Sequence, residues 1–498
     1  MLFIIFNVNM ETIEKTVPVS TYLDLEIKYN KVLHELQWLK RQLFGTKSER
    51  HIPNDQQIEL DLGIEKSSVE IKNEEISYTR TKVKKISGHG REEMPTHLPY
   101  VDTIIEPQED ISNCEKLNDE ISWEYEYKPG FLFVHRYIRP KFKENETGKI
   151  LIGKLPERPV EKGNFGPGIM STVTTDKYLY HMPLNRQIQK FRNEFQTEFA
   201  ESTFCDLIKH TVFWLEPMYE LKKKKLLQAS YLQVDETPIP VLVKSKKGKT
   251  HKGFYWVYYD PVGKIVIFEY KTGRSREGPN NFLKDYSGIL QVDGYSGYDE
   301  LASRENIKRA ACMAHVRRKF ESALEYDKSS AEYALGIIGS WFEKERDAKK
   351  ISLTYDQRLA MRNESMKSEF ASFKEWMLKN ITDHLPRSPI RKAMEYALGQ
   401  WSGFDAFFED GRVELSNNLV ENAIRPVALG RKNYMFKGSE AAAQRGAIIY
   451  SIIATSKLHG KEPRECIKIL LEELPKEKSD NLESYLPWKI DLSTKQKV

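Results

Sequence analysis

Cysteine is scarce in this chain of 498 residues: there are four, at positions 114, 205, 312 and 466, and no C-x-x-C among them. Such spacing excludes a disulfide framework and a zinc site built on paired thiols, and it fits a reducing cytoplasm. An excess of one charge is also missing. The net charge is +5, too small over this length to argue for a nucleic-acid partner unless the cations are clustered. Long apolar runs are absent as well. The opening MLFIIF is too short to span a bilayer and lacks the basic start and cleavage site of a secretory signal, so no membrane partner is expected. What remains is 40% hydrophobic against 30% charged residues, the composition of a folded chain with solvated stretches. The length suggests about three domains, each able to bury a core.

Composition and periodicity divide the chain. Tyr22, Tyr29, Leu36 and Leu43 recur every seven residues, with Leu25, Val32 and Leu39 three positions after the first three. This a/d pattern predicts an N-terminal helix or coiled coil within residues 1–50, pairing two protomers, or else an amphipathic helix packed on its own domain. Residues 51–95 read as a charged linker, despite the basic run Arg80, Lys82, Lys84 and Lys85. Over 96–160, short alternating stretches such as FLFVHRYIRPKF predict a small β-rich segment. The period turns helical over 161–228, where a helix-turn-helix is one reading. Residues 461–498 form a C-terminal helical tail.

Between these lies the most informative stretch, 229–460. YLQVDETPIPVLV, GFYWVYYD and KIVIFEY predict three strands, followed by a helix at GPNNFLKDY and a fourth strand at GILQVDG. Then come a short helix, a brief strand at RAACMA and a basic helix at HVRRKFESAL. Three strands followed by alternating helices and strands is the element order of a ribonuclease H-like fold. Helical character over about 326–414 reads as an insertion into it. The fold class expected is multidomain α/β: a ribonuclease H-like core with a mostly helical insertion, an N-terminal coiled coil and a helical DNA-binding region.

On that order, Asp235 falls near the end of the first strand and Asp293 at the end of the fourth, neighbouring positions at one sheet edge. Glu236 points to the opposite face of a regular strand and is expected to be dispensable. The third carboxylate comes from LSNNLVENAIRPVALGRKNYMF, residues 415–436. Leu419, Val420, Ala423, Ile424 and Val427 gather on one helical side, with Asn418, Glu421, Asn422 and Arg425 opposite, and Pro426 interrupts the pattern. Here two readings compete. In one, Glu421 closes a capping box on Asn418 and pairs with Arg425; in the other, it joins Asp235 and Asp293 around a cation. Like charges in one site raise one another's pKa unless a cation offsets them, and hard oxygen donors suit Mg²⁺. Two such ions can activate an attacking hydroxyl and stabilise a leaving phosphodiester oxygen.

The segments LQVDETPIPVL, LQVDGYSGYDEL, CMAHVRRKF, LKRQLFGTKSER and EDGRVELSNNLVENAIRPVALGRKNYMFKGSEAAAQRGAIIYSIIATSKLHGKEP resemble transposases of the insertion sequence 66 family, over about residues 20–475. The resemblance implies DNA cleavage and strand transfer by an Asp–Asp–Glu triad with Mg²⁺ or Mn²⁺, two ions in all. Matched motif by motif, the triad is Asp235, Asp293 and Glu421, as catalytic residues and metal ligands. It also implies DNA partners (inverted-repeat ends and a target), a homodimer or higher assembly, small accessory proteins, and a cytoplasmic, nucleoid-associated location. The cations His315, Arg317, Arg318, Lys319, Arg425, Arg431, Lys432 and Lys437, with Arg445 nearby, are read as contacts to DNA. Tyr295, Tyr298 and Tyr434 are read as core residues first and base-stacking residues second. Cys312-x-x-His315 matches a C-x-x-H of related transposases, but no second pair is spaced to complete a zinc site. The family's paired-cysteine segment is reduced here to Cys114, a degenerate zinc-binding-like segment for which no structural zinc is expected. Two alternatives stay open: a catalytically silent DNA-binding relic that regulates, and a ribonuclease H-like nuclease.

Overall fold

A computed structural model describes residues 94–492 except 97, 129, 244–247 and 477–480. The heptad pattern and nearly all of the charged linker lie outside the described residues. The β-rich segment holds β1 (Tyr100–Ile104), β2 (Cys114–Lys116), β3 (Glu120–Lys128), β4 (Phe131–Arg139), β5 (Lys141–Glu144) and β6 (Ile150–Ile152). They form two small sheets, in the orders β1-β4-β3 and β2-β5-β6. The β3–β4 hairpin turns at Gly130, whose φ of 74° is a left-handed conformation that a side chain would resist. Helices α1 (Pro167–Tyr178), α2 (Leu184–Phe195) and α3 (Glu201–Leu226) follow.

The next elements are β7 (Tyr231–Leu242), β8 (Thr250–Asp260), β9 (Ile265–Lys271), α4 (Glu277–Phe282), β10 (Gly288–Gln291), α5 (Asp299–Ala302), β11 (Ile307–Ala310) and α6 (Met313–Glu321). Their five strands make one sheet in the order β11-β10-β7-β8-β9. β7–β8 and β8–β9 pair antiparallel, while β10 runs parallel to both β7 and β11. The predicted succession of strands and helices is therefore present, and β7 is central. One expectation is corrected. Asp235 is not near the end of its strand, because β7 keeps pairing with β8 as far as Leu242; only the pairing with β10 stops, at Gln233–Gln291.

Alternation along the strands feeds two cores. Tyr255, Val257, Tyr259, Val266 and Phe268 face one layer; Phe254, Trp256, Tyr258, Ile265 and Ile267 face the other. After α6 come α7 (Lys328–Lys350), α8 (Tyr355–Ser365), α9 (Lys367–Asn380), α10 (Pro389–Gly399) and α11 (Asp405–Glu409), then α12 (Asn418–Tyr434), α13 (Glu440–Leu458) and α14 (Pro463–Glu473). Helix α13 covers the first layer and protects the sheet's β9 edge. Its Thr455 and Ser451 hydroxyls accept from the Val266 and Phe268 N–H groups at 3.1 and 2.8 Å. Among the described residues no helix is long and apolar enough to cross a membrane.

Helices α7–α11 build their own core around Trp341, Phe370, Phe373 and Phe407, with one ionic centre inside it. Arg362 is fully buried and grips the Glu345 carboxylate twice, at 2.7 and 2.9 Å, while Arg358 adds a third bond at 2.6 Å. Burial pushes Glu345 up, but the two guanidiniums outweigh it and hold the carboxyl below its ordinary value. Arg362 also donates to the Phe407 and Asp410 carbonyls, joining α7, α8 and α11. Arg362→Met should therefore cost about 3–5 kcal/mol in urea unfolding, the usual range when one partner of a buried pair is removed. A loss below about 1 kcal/mol would show that this centre does not hold the helices together.

Candidate functional site

Two tetrapeptides are identical: Leu232–Asp235 and Leu290–Asp293 both read LQVD. They lie side by side, since Leu232 pairs with Leu290 and Gln233 with Gln291. Asp235 and Asp293 thus leave neighbouring strands at the same level, two residues past the last paired position. Because side chains alternate, each aspartate shares a face with the glutamine two residues before it.

Those glutamines, both fully buried, fix what lies over that face. Gln233 Nε2 donates to the Gln291 side-chain oxygen at 2.8 Å and to the Ser416 carbonyl at 3.1 Å; Gln233 Oε1 accepts from the Val420 N–H at 3.2 Å. Gln291 Nε2 donates to the Glu414 and Ala311 carbonyls at 2.7 and 2.9 Å. Tyr231 joins in, its hydroxyl donating to Gln291 Oε1 and accepting from the Glu414 N–H. The segment that launches α12, and with it Glu421, is bonded directly to the two strands that carry the aspartates.

This corrects the capping expectation. Helix α12 starts one residue early, on Asn417, with no side-chain cap bond. The Asn417 carboxamide oxygen is taken by the Cys312 thiol at 2.9 Å, and the sheet's Gln233 supplies the first-turn acceptor in place of a local side chain. The helix also continues through Pro426 to Tyr434. Glu421 is therefore not a capping residue. Its carboxylate, about 29% exposed, faces α6: Arg318 Nη2 stands 3.5 Å from Oε2 and His315 Nε2 3.7 Å from Oε1. The apolar side of α12 packs as expected, with Val420 and Val427 buried and Leu419, Ala423 and Ile424 against the same core.

The electrostatics follow from burial. The Asp235 carboxyl is pushed up to about 8, chiefly by desolvation, then by the Glu236 charge, with Asp293 and Glu421 adding to it. Its own bond from the Glu236 N–H opposes that rise. Asp293 accepts from the Tyr295 N–H at 2.9 Å, and Arg309 holds its backbone carbonyl at 3.0 Å. Burial holds His315 below its ordinary value, with Glu421 opposing, and raises the Cys312 thiol to about 12. Among the described residues no three acidic, His or Cys side chains gather closely enough to cage a metal. The donor chemistry nevertheless fits a divalent ion: hard carboxylate oxygens whose mutual repulsion a cation would relieve, with Glu421 turned aside towards α6.

The cations divide. Arg318, Lys319, Arg425 and Lys432 are exposed and Arg317 is half-buried; Arg317 pairs with Glu321 at 3.0 Å. Two residues do not fit a DNA contact. Lys437 is 6% exposed, drawn inwards by its backbone bonds to Pro240 and Leu242. Its ammonium lies 4.6–5.4 Å from the ring centres of Tyr178, Tyr434 and Tyr450. Arg431 donates to the Pro238 carbonyl and ties α12 to β7. Tyr298 is buried against Trp256, and the Tyr434 hydroxyl bonds that of Tyr450. Sequence reasoning missed Arg346, which lines two adjoining grooves of about 650 and 660 Å³. These run along α7 to Asn418, and Arg317 stands in the first of them.

The raised Asp235 value gives a testable sign. In the unfolded chain this carboxyl returns to near 3.8, so the folded state binds the extra proton. That contribution to stability is complete below about pH 4 and is lost as pH rises through about 8. The metal-free melting temperature should fall over this interval, less so in Asp235→Asn, and added Mg²⁺ should restore stability at the alkaline end. Equal pH slopes in the two proteins would contradict the assignment.

A sequence model described as "Transposase IS66 family" matches residues 162–445, more than half of the chain. A second, described as "Transposase C of IS166 homeodomain", matches residues 32–103. Relatives in Sinorhizobium fredii (strain NBRC 101917 / NGR234) run nearly the full length. "Uncharacterized protein y4hP" is 29% identical over 93% of this chain and 88% of its own. "Uncharacterized protein y4jD" is 28% identical over 91% and 93%.

Proposed function

The chain belongs to the IS66 family of transposases, and from that premise we propose that Asp235, Asp293 and Glu421 cut and join DNA at the ends of an insertion sequence. The observation that carries this reading is the glutamine bridge. It ties the start of the Glu421 helix to both aspartate-bearing strands, which supports a site shared by three carboxylates distant in sequence. The domain reading has support of the same kind. A central β7, antiparallel β8 and β9, and parallel β10 and β11 make the strand order of a ribonuclease H-like core over 229–460. Helices α7–α11 are then the insertion, and 161–228 the helical DNA-binding region.

In this mechanism Asp235, Asp293 and Glu421 are the ligands of Mg²⁺ or Mn²⁺. When bound, the ions supply activation of the attacking hydroxyl and charge stabilisation at the phosphodiester. The chain's own groups do the rest. Arg318 is exposed and stands 3.5 Å from Glu421, so a DNA phosphate that draws Arg318 away would free the Glu421 carboxylate to turn towards the aspartates. Arg317 and Arg346 line the approach along α7 and hold the backbone there. Half-buried His315, 3.7 Å from Glu421, steadies that carboxylate while the site is empty of DNA. A homodimer or higher assembly would let one particle hold both element ends; the heptad pattern from which pairing is expected lies outside the described residues. Accessory proteins and nucleoid association belong to the same reading.

The test uses duplexes carrying the repeats that flank the reading frame. Asp235→Asn, Asp293→Asn and Glu421→Gln should each lower Mg²⁺-dependent cleavage and joining by about 10²–10³-fold or more, with DNA affinity retained. Since Glu421 caps nothing, Glu421→Gln has no structural reason to fail. Wild-type cleavage in any of the three would remove that residue from the site. DNA binding with no cleavage by the unaltered chain would instead support a silent regulator.

A further inference from the structure

One buried carboxylate beside the site has no part in the scheme above. Glu236 follows Asp235 but points to the other face of the sheet, where its side chain is only 3% exposed. It is not left to itself there. The Tyr298 hydroxyl donates to Glu236 Oε2 at 2.6 Å, and the Arg274 guanidinium bonds Oε1. Arg274 in turn lies flat over Tyr295, 3.7 Å from the ring centre, while the Tyr295 hydroxyl donates to the Arg274 carbonyl at 2.8 Å. Tyr295 and Tyr298 meet edge to face at 5.9 Å, and Trp256 backs Tyr298 at 5.8 Å. All of these contacts bear on one short segment, 295–298, which follows Asp293 directly. That segment's Tyr295 N–H is the group that holds the Asp293 carboxylate.

We propose that Glu236 is a positioning residue: through Arg274 and Tyr298 it clamps the turn after β10 and so sets the direction in which Asp293 presents its carboxylate to Asp235. Asp235 and Glu236 then act on the same site from opposite faces of one strand, the first directly and the second through the neighbouring strand's turn. The clamp explains why a charged pair stands inside a largely apolar layer. Arg274 pairs with Glu236 and offsets part of the cost of burying the carboxylate next to the site, although Asp235 still feels the Glu236 charge. The second anchor of the turn, Arg309 on the Asp293 carbonyl, comes from β11. Asp293 is thereby fixed from both neighbouring elements, as groups outside the ligand set commonly fix metal-binding carboxylates.

This inference rests on the assignment of Asp235 and Asp293 as ligands, and the experiment separates the two. Mn²⁺ affinity of the full-length chain is measured by calorimetry without DNA, a readout that does not depend on cleavage. Glu236→Gln keeps an acceptor for Tyr298 but loses the ion pair with Arg274. It should weaken Mn²⁺ binding by about ten- to a hundred-fold, and Arg274→Met, changed at a partly exposed position, should do the same. In an Asp293→Asn background, Glu236→Gln should add nothing further, because its effect passes through Asp293. A purely structural role would lower the melting temperature of both backgrounds alike and leave Mn²⁺ affinity unmoved. Wild-type Mn²⁺ affinity in Glu236→Gln and Arg274→Met, or an additive loss with Asp293→Asn, would overturn the clamp. Unchanged affinity in Asp235→Asn as well would overturn the ligand assignment beneath it.

Discussion

Two buried glutamines join the parts of this molecule that the chain keeps furthest apart. Gln233 and Gln291 lie on paired strands, bond each other and Tyr231, and also bond the Ala311 carbonyl and the backbone of residues 414–420. A carboxamide has donors and an acceptor in fixed geometry, and every one left unpaired in a dry interior costs about 1–3 kcal/mol. The segment after α11 satisfies both side chains in the seating observed. That constraint returns the chain to the sheet after five helices, starts α12 at a defined point, and brings Glu421 to the face where Asp235 and Asp293 emerge.

The other features of the site follow from that seating. With Gln233 accepting the Val420 N–H, α12 needs no local cap, and Asn417 is released to bond the Cys312 thiol at the start of α6. This brings α6 and α12 together at their N-terminal ends, which places His315 and Arg318 over Glu421. The half-buried Asp235 carboxyl is meanwhile pushed up to about 8 by desolvation and by the neighbouring Glu236 charge. A carboxyl in that condition is poised to exchange its proton for a metal ion. The protein before DNA binding is thus an arrangement with two aspartates set in place by the sheet and a glutamate held to one side by Arg318 and His315.

Much of this was legible in the sequence. The three β-rich runs, the later strands and the helical stretch over 326–414 were visible from periodicity and turn residues, and they fall where expected. Element order put Asp235 and Asp293 side by side on neighbouring strands, as they are, while Glu421 stayed open between a capping and a ligand role until the family resemblance was considered. The exact repeat of LQVD carried more than was read from it: two glutamines in register are a signal for a shared polar anchor. What failed were local rules applied where tertiary contacts dominate. Asn418 and Glu421 fit a capping box, but a side chain from the distant β7 took over the capping. Lys437 and Arg431 read as exposed cations because lysine and arginine usually are. A strand-like bridge to Val241 and a bond to the Pro238 carbonyl, neither visible in a linear pattern, bring them against the sheet. The run YLQVDETPIPVLV is one strand as expected, but the place of Asp235 within it was misjudged: it lies where pairing with β10 stops while β8 continues to pair as far as Leu242.

The central claim is that three carboxylates form one metal-dependent site once DNA is bound. An anomalous-difference map from crystals of the chain with Mn²⁺ and a duplex bearing its element's end tests this most directly. The account predicts density bonded to the Asp235 and Asp293 carboxylates, with Glu421 turned in to join them and Arg318 on a phosphate. Metal bound elsewhere, or Glu421 still facing Arg318 and His315 in the complex, would contradict it.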